Sequence, residues 1–171
     1  MNQKDPYSLT DQEPEEDTQE GKYLTFVLGD EDYGLAIRYV TEIIGIQKIT
    51  PVPDLPGYIK GVINLRGKVI PVMDVRLRFR MDPRDYDART CIVVIHAEET
   101  TVGLIVDTVS EVLEIDAEQI EEARQVRGGY GNQFMHGMGK VGDRVKILLD
   151  AEALLFKDTT DIKQMAGSAP E

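Results

Sequence analysis

The sequence predicts a mainly β protein made of two similar small barrels, with few short helices and one helix near its end. Three observations carry this expectation. Short apolar runs are separated by Gly- and Asp-rich turns, so that "KYLTFVLGDEDYGLAI" and "RTCIVVIHAEETTVGLIVD" each read as two strands joined by a tight connection. These segments also repeat one another. "GLAIRYVTEII" overlays "GLIVDTVSEVL" without gaps at an offset of 69 (103 − 34), placing Gly34 on Gly103, Val40 on Val109, Glu42 on Glu111 and Ile43 on Val112. Farther on, "KGVINLRGKVIPVMDVRLRF" overlays "HGMGKVGDRVKILLDAEALL" at an offset of 76 (137 − 61), with Gly61 on Gly137, Val69 on Val145, Val72 on Leu148 and Asp74 on Asp150.

Taken in order, residues 1–20 form an acidic, polar, proline-punctuated stretch with too little apolar surface to offset the cost of ordering it, and are expected to be a disordered tail. The folded domain is expected over 21–158, with the repeat covering about 23–80 and 91–156, and 159–171 as a C-terminal tail. From Tyr23 onward Leu24, Phe26 and Leu28 alternate as a half-buried strand requires. Each copy supplies a hairpin, an irregular connection and a second strand pair. Gly61, Gly67 and Pro71 read as turn and strand-edge residues. The strand pairs end in Asp74 and Asp150, whose carboxylates suit the first free N–H groups of a following helical turn, a contact worth ~1 kcal/mol. The second half carries a longer connection in "EIDAEQIEEARQVRGGYGNQFM", a short helical pattern and then a Gly-rich loop, and its closing helix is expected to extend through "TTDIKQM". Closed barrels let such short strands avoid exposed edges.

With 171 residues, 42% of them apolar, the chain can bury one compact core or two small ones. A formal charge of −12 disfavours nucleic acid and anionic lipid, and points to proteins as partners. Cys91 is the single cysteine and lies in an apolar run, so it forms no internal disulfide and packs as a small hydrophobe, in keeping with a reducing compartment. No apolar stretch approaches the roughly 20 residues of a spanning helix, and the N-terminus lacks a signal-like apolar segment; a soluble, intracellular protein is expected.

Signs of chemistry are sparse. His96 and His136 stand at no metal-binding spacing, "GGYGNQFMHGMG" lacks the Lys-Ser/Thr of a phosphate loop, and no G-x-S-x-G or H-E-x-x-H occurs. Carboxylate runs such as "DQEPEED" and "EEAR" suit solvated faces. No enzyme activity, cofactor or metal is expected. The informative feature is an asymmetry: where the first copy has "NLRG", the second has "KVGD". Asn64 and Arg66 are therefore not required by the fold that the halves share. Arginine suits an interface because its planar fork binds carboxylates or carbonyls and its stem packs on apolar surface.

Together "FVLGDEDYGLAI", "VTEIIG", "PGYIKGVINLRGKVIPVMDVR", "VGLIVDTVSEVL" and the closing "LLD" resemble the CheW family of bacterial chemotaxis adaptors, over about Tyr23 to Phe156. The resemblance implies two intertwined SH3-like five-stranded barrels, no catalysis, and a role coupling the CheA histidine kinase, through its regulatory domain, to the signalling tips of methyl-accepting chemoreceptors. It implies a cytoplasmic protein recruited to membrane-associated receptor arrays without inserting in the membrane, monomeric in isolation. Carried over to this chain, Asn64 and Arg66 of the NLRG motif, with Val40, Glu42, Cys91, Val109 and Val112, become expected receptor contacts; Cys91 stands where the family commonly has an aliphatic residue. The kinase surface is expected around Ile44, Ile46 and Ile49. The competing classes are a ligand-binding or catalytic barrel, which needs an enclosed polar pocket, and a structural subunit, which needs a self-complementary interface.

Overall fold

A computed structural model describes residues 19–122, 133–157 and Ile162. The expected tails over 1–18 and over most of 159–171, the Gly-rich loop to residue 132, and most of "TTDIKQM" lie outside the described residues. Strands β1 (Lys22–Leu28), β2 (Glu31–Ala36), β3 (Val40–Gly45), β4 (Ile59–Leu65) and β5 (Lys68–Asp74) precede helix α1 (Val75–Arg78). Then come β6 (Cys91–Ala97), β7 (Thr100–Val106), β8 (Thr108–Glu114), the short β9 (Ile120–Glu122), β10 (Met135–Val141), β11 (Arg144–Leu149) and helix α2 (Ala151–Phe156).

Neither half of the repeat makes a barrel from its own strands. One sheet has the order β3-β6-β7-β5-β4 and the other β8-β1-β2-β11-β10-β9, so the hairpin of each half is inserted into the strands of the other. The repeat offsets are visible in this exchange. Val72 of β5 pairs in parallel with Gly103 of β7, and its repeat image Leu148 of β11 pairs in parallel with Gly34 of β2. Both glycines are there for space: a Cβ at Gly34 would stand 2.8 Å from Leu148 Cδ2, and one at Gly103 would stand 2.7 Å from Ile92 Cγ2. The chain that looked irregular between hairpin and strand pair contains β3 and β8. Their alternation was concealed because a register shift interrupts each, between Val40 and Glu42 and opposite Thr25/Phe26. The sheets thus have five and six strands, the sixth being β9, a three-residue strand after a 3-10 turn at Ala117–Gln119.

Packing follows from the strand faces. One large core takes Leu24, Phe26, Leu35, Val93, Ile95 and Leu104 from both sheets and adds Leu154, Leu155 and Ile162. A second, smaller core of Ile63, Ile70, Val72, Ile92, Val94 and Ile105 belongs to the five-stranded sheet alone. Where that barrel buries Ile70 and Val94, the six-stranded one has Lys146 and Thr25, both buried. Lys146 Nζ donates to Asp32 Oδ2 at 3.0 Å, and Thr25 Oγ1 donates to the Glu111 carbonyl at 2.8 Å. Both helix caps are as the sequence predicts: Asp74 Oδ1 accepts from Leu77 N at 3.3 Å and Asp150 Oδ1 from Ala153 N at 3.0 Å.

A buried arginine was not anticipated. Arg78 donates from Nε to the Leu154 carbonyl at 2.9 Å and from Nη2 to the Lys157 carbonyl at 2.7 Å, satisfying the free end of α2. Its guanidinium lies 4.6 Å from the Tyr58 ring and 4.5 Å from the Phe134 ring, and those two rings are repeat images of each other.

Candidate functional site

Arg66 sits at the tip of the β4–β5 hairpin. Leu65 and Lys68 are the last paired residues, and the two residues between them both have left-handed backbone, with φ 52° at Arg66 and 87° at Gly67. This is a type I′ turn, whose twist matches the flanking strands and whose first position favours Asn, Asp or Gly. A long cation there is held in a disfavoured conformation by its surroundings. Asn64 supplies part of that hold, since its Oδ1 accepts from Gly67 N at 2.8 Å.

The guanidinium is paired across the molecule. Arg66 Nη1 donates to Glu42 Oε1 at 3.1 Å, and Nη2 meets Oε2, a two-pronged contact between the β4–β5 turn and β3. Strands β3 and β4 are the two ends of the five-stranded order, so the pair spans the seam of that barrel. The same seam is closed nearby by the Thr50–Val62 bridge. The hydrogen bond from Arg66 holds the Glu42 carboxyl below its ordinary value and, reciprocally, holds the guanidinium's own proton more firmly. The arginine side chain remains 69% exposed, so it is displayed as well as paired.

The other expected receptor contacts divide between the barrels. Val40, on β3, and Cys91, on β6, belong to the five-stranded sheet; Val109 and Val112 lie on β8 of the six-stranded one. Val40, Cys91 and Val109 pack against the shared core, and Val112 is exposed. Val112 pairs with Leu24 and Ile43 with Val93, both core residues, so these two exposed side chains border the shared core from opposite sheets. Sequence reasoning named Val112 and passed over Ile43, although the offset of 69 links them. Ile44, Ile46 and Ile49 turn inward onto the second core and leave Gly45, Gln47 and Lys48 exposed beside them.

A second ionic centre escaped the sequence reading. Asp107, buried at the end of β7, receives Arg76 Nε at 2.9 Å and Arg76 Nη2 at 2.8 Å, Arg84 Nη1 at 2.9 Å and the Gly29 amide at 2.8 Å. Burial alone would raise its carboxyl, but these donors outweigh it and hold the group below the ordinary value. Tyr86, from the same 80–90 connection, donates to Asp74 Oδ2 at 2.7 Å, and burial with this bond pushes its phenol far up. The only signal for Asp107 was a charge closing the apolar run "VGLIVD".

Among the described residues no group of three or more His, Cys, Asp or Glu is placed to hold a metal ion. Also among them, no helix is long and apolar enough to cross a membrane. His96 is exposed and its Nδ1 lies 2.8 Å from Thr101 Oγ1. Fold and site together define a class: an interleaved double barrel with an ion pair and apolar side chains exposed on its surface. The comparisons place it further. A family profile of the CheW-like domain matches residues 22–158. The chain is 39% identical over 137 residues to the chemotaxis protein CheW of Klebsiella aerogenes, covering 80% of this chain and 82% of that one. It is 32% identical over 139 residues to the chemotaxis protein CheW of Bacillus subtilis, covering 81% and 89%. The solved scaffolding protein TtCheW from Thermoanaerobacter tengcongensis matches with a TM-score of 0.75 at 36% identity, over 81% of this chain and 94% of that one. The chain belongs to the CheW-like family.

Proposed function

We propose that this chain is a non-catalytic adaptor of bacterial chemotaxis that couples chemoreceptors to the CheA histidine kinase. The observation that carries this reading is the exposed Arg66, held by Glu42 across the barrel seam at a strained turn that the other repeat lacks. A fold that needed only a hairpin there would be served by Asn or Gly, and the second copy has Gly142 at that position. The receptor's signalling tip is assigned to Arg66 with Glu42, Asn64, Val40, Cys91, Val109 and Val112. The kinase's regulatory domain is assigned to the surface around Ile44–Ile49, where inward isoleucines brace the outward residues between them. This reading locates the protein in receptor arrays at the cytoplasmic side of the membrane and makes it a monomer in isolation.

Co-sedimentation with membrane-borne receptor signalling fragments and purified kinase tests it. The protein should enter the pellet with receptors, bring kinase with it and raise kinase autophosphorylation. A folded protein that stays in the supernatant in the presence of both would refute the assignment.

A further inference from the structure

The repeat makes each barrel a control for the other at one particular place. At the end of the β6–β7 hairpin, Asp107 and Arg76 form the buried ion pair described above, and the 80–90 connection closes over them. That connection brings two side chains two positions apart: Arg84 to Asp107, and Tyr86 to Asp74. At the offsets of 69 and 76, the images of Asp107, Arg76 and Asp74 are Arg38, Glu152 and Asp150. The first two charges are exchanged in sign. The image site is an open cleft of about 230 Å³, lined by these three residues together with Tyr23, Ala36 and His136. Ala36 stands where the other barrel has the larger Ile105.

Among the described residues the charged groups of this cleft are only partly engaged. Arg38 lies over the Tyr39 ring, 4.8 Å from its centroid, and donates to its hydroxyl at 3.2 Å. Glu152 forms no ion pair among the described residues, and Arg38, Asp150 and Glu152 are all exposed. Asp150 uses Oδ1 to cap Ala153, as Asp74 uses Oδ1 to cap Leu77, but Oδ2 of Asp74 additionally receives a tyrosine.

We propose that this cleft docks a polypeptide segment of a partner protein that sets a carboxylate on Arg38 and, two residues farther along, a tyrosine hydroxyl on Asp150. The molecule's own filled site supplies the template, with Arg84 replaced by an acid because Arg38 replaces Asp107. The occupant is therefore an acid-x-Tyr segment. The site is separate from Arg66 and Glu42, and it draws on the adaptor reading only in taking the occupant to be a protein.

The probe is a synthetic peptide of residues 80–90 of this chain carrying Arg84→Glu, titrated into the full chain while backbone amide shifts are followed by NMR. Saturable shifts should cluster at 36–39, 136 and 150–152. The acidic peptide should bind about threefold or more tightly than the unsubstituted one, the scale of an exposed ion pair. Arg38→Glu should reverse that preference, and Glu152→Gln, which removes a like charge, should strengthen binding of the acidic peptide. Loss of the tyrosine hydroxyl, Tyr86→Phe in the peptide, should weaken it. Shifts confined to other surfaces, no saturation at millimolar peptide, or the same preference in Arg38→Glu would overturn the proposal. Receptor and kinase co-sedimentation makes no use of this peptide, so either result can fail without the other.

Discussion

Replacing Gly61 by alanine should open the seam that presents the candidate receptor site. Gly61 has φ 145° at a register shift in β4, and a Cβ built on it would lie 2.1 Å from the Thr50 carbonyl oxygen and 2.7 Å from its carbon. Both atoms are backbone, so no rotamer can move aside; the 46–50 segment itself has to retreat by about 0.9 Å to reach even 3.0 Å. That retreat breaks the Thr50–Val62 bridge, whose hydrogen bonds measure 2.8 and 2.9 Å. Two such bonds are worth about 2 kcal/mol together. Holding alanine at this backbone conformation costs a further ~1–3 kcal/mol. The expected loss is therefore about 3–5 kcal/mol, a large share of the ~5–15 kcal/mol available to an ordinary domain, and a fall in Tm on the order of 10 °C. Gly67→Ala is the control, because Gly67 also has positive φ (87°) but its Cβ would meet nothing within 4 Å. Equilibrium urea unfolding of both variants reads the difference directly. If Gly61→Ala lies within about 1 kcal/mol of Gly67→Ala, the close approach to Thr50 is not what selects glycine, and the reasoning fails.

Arg66→Ala should weaken receptor-dependent kinase activation at least several-fold, as loss of an interface anchor does, while its thermal unfolding curve stays close to that of the parent. An unfolding curve shifted as far as that of Gly61→Ala would mean that the pair with Glu42 holds the barrel and is not a display. Arg78→Met should cost about 3 kcal/mol, since it strands the terminal carbonyls of α2 in the interior; denaturation that leaves stability unchanged would contradict this. Acid sensitivity should trace in part to Asp107. Its folded carboxyl titrates below its ordinary 3.8, so its contribution is fully present above that value and is lost as pH falls through the folded one. Stability measured from about pH 5 to 2 should fall less steeply for Asp107→Asn than for the parent, and equal slopes would count against this assignment.

Local chemistry was legible in the residues. Alternation and turn residues mark the hairpins β1–β2, β4–β5, β6–β7 and β10–β11, and Asp74 and Asp150 announce the two helix starts, because each feature depends on neighbours a few positions away. The repeat offsets were equally readable, and they singled out Arg66 by the absence of a counterpart. Local pattern left open which hairpin joins which strand pair: the family resemblance implied intertwined barrels, and the tertiary structure shows the pairing. Both hairpins carry the same pattern, so pairing Gly34 with Leu148 or with Val72 satisfies local preference equally, and only the shared core between the barrels distinguishes the two. It likewise decided that Arg66 meets Glu42, 24 residues away, and that Arg78 reaches the Leu154 carbonyl, 76 residues away. Spacing in sequence says nothing about such contacts: a charge finds its partner through the closed path of a barrel, and that path exists only once distant strands have paired.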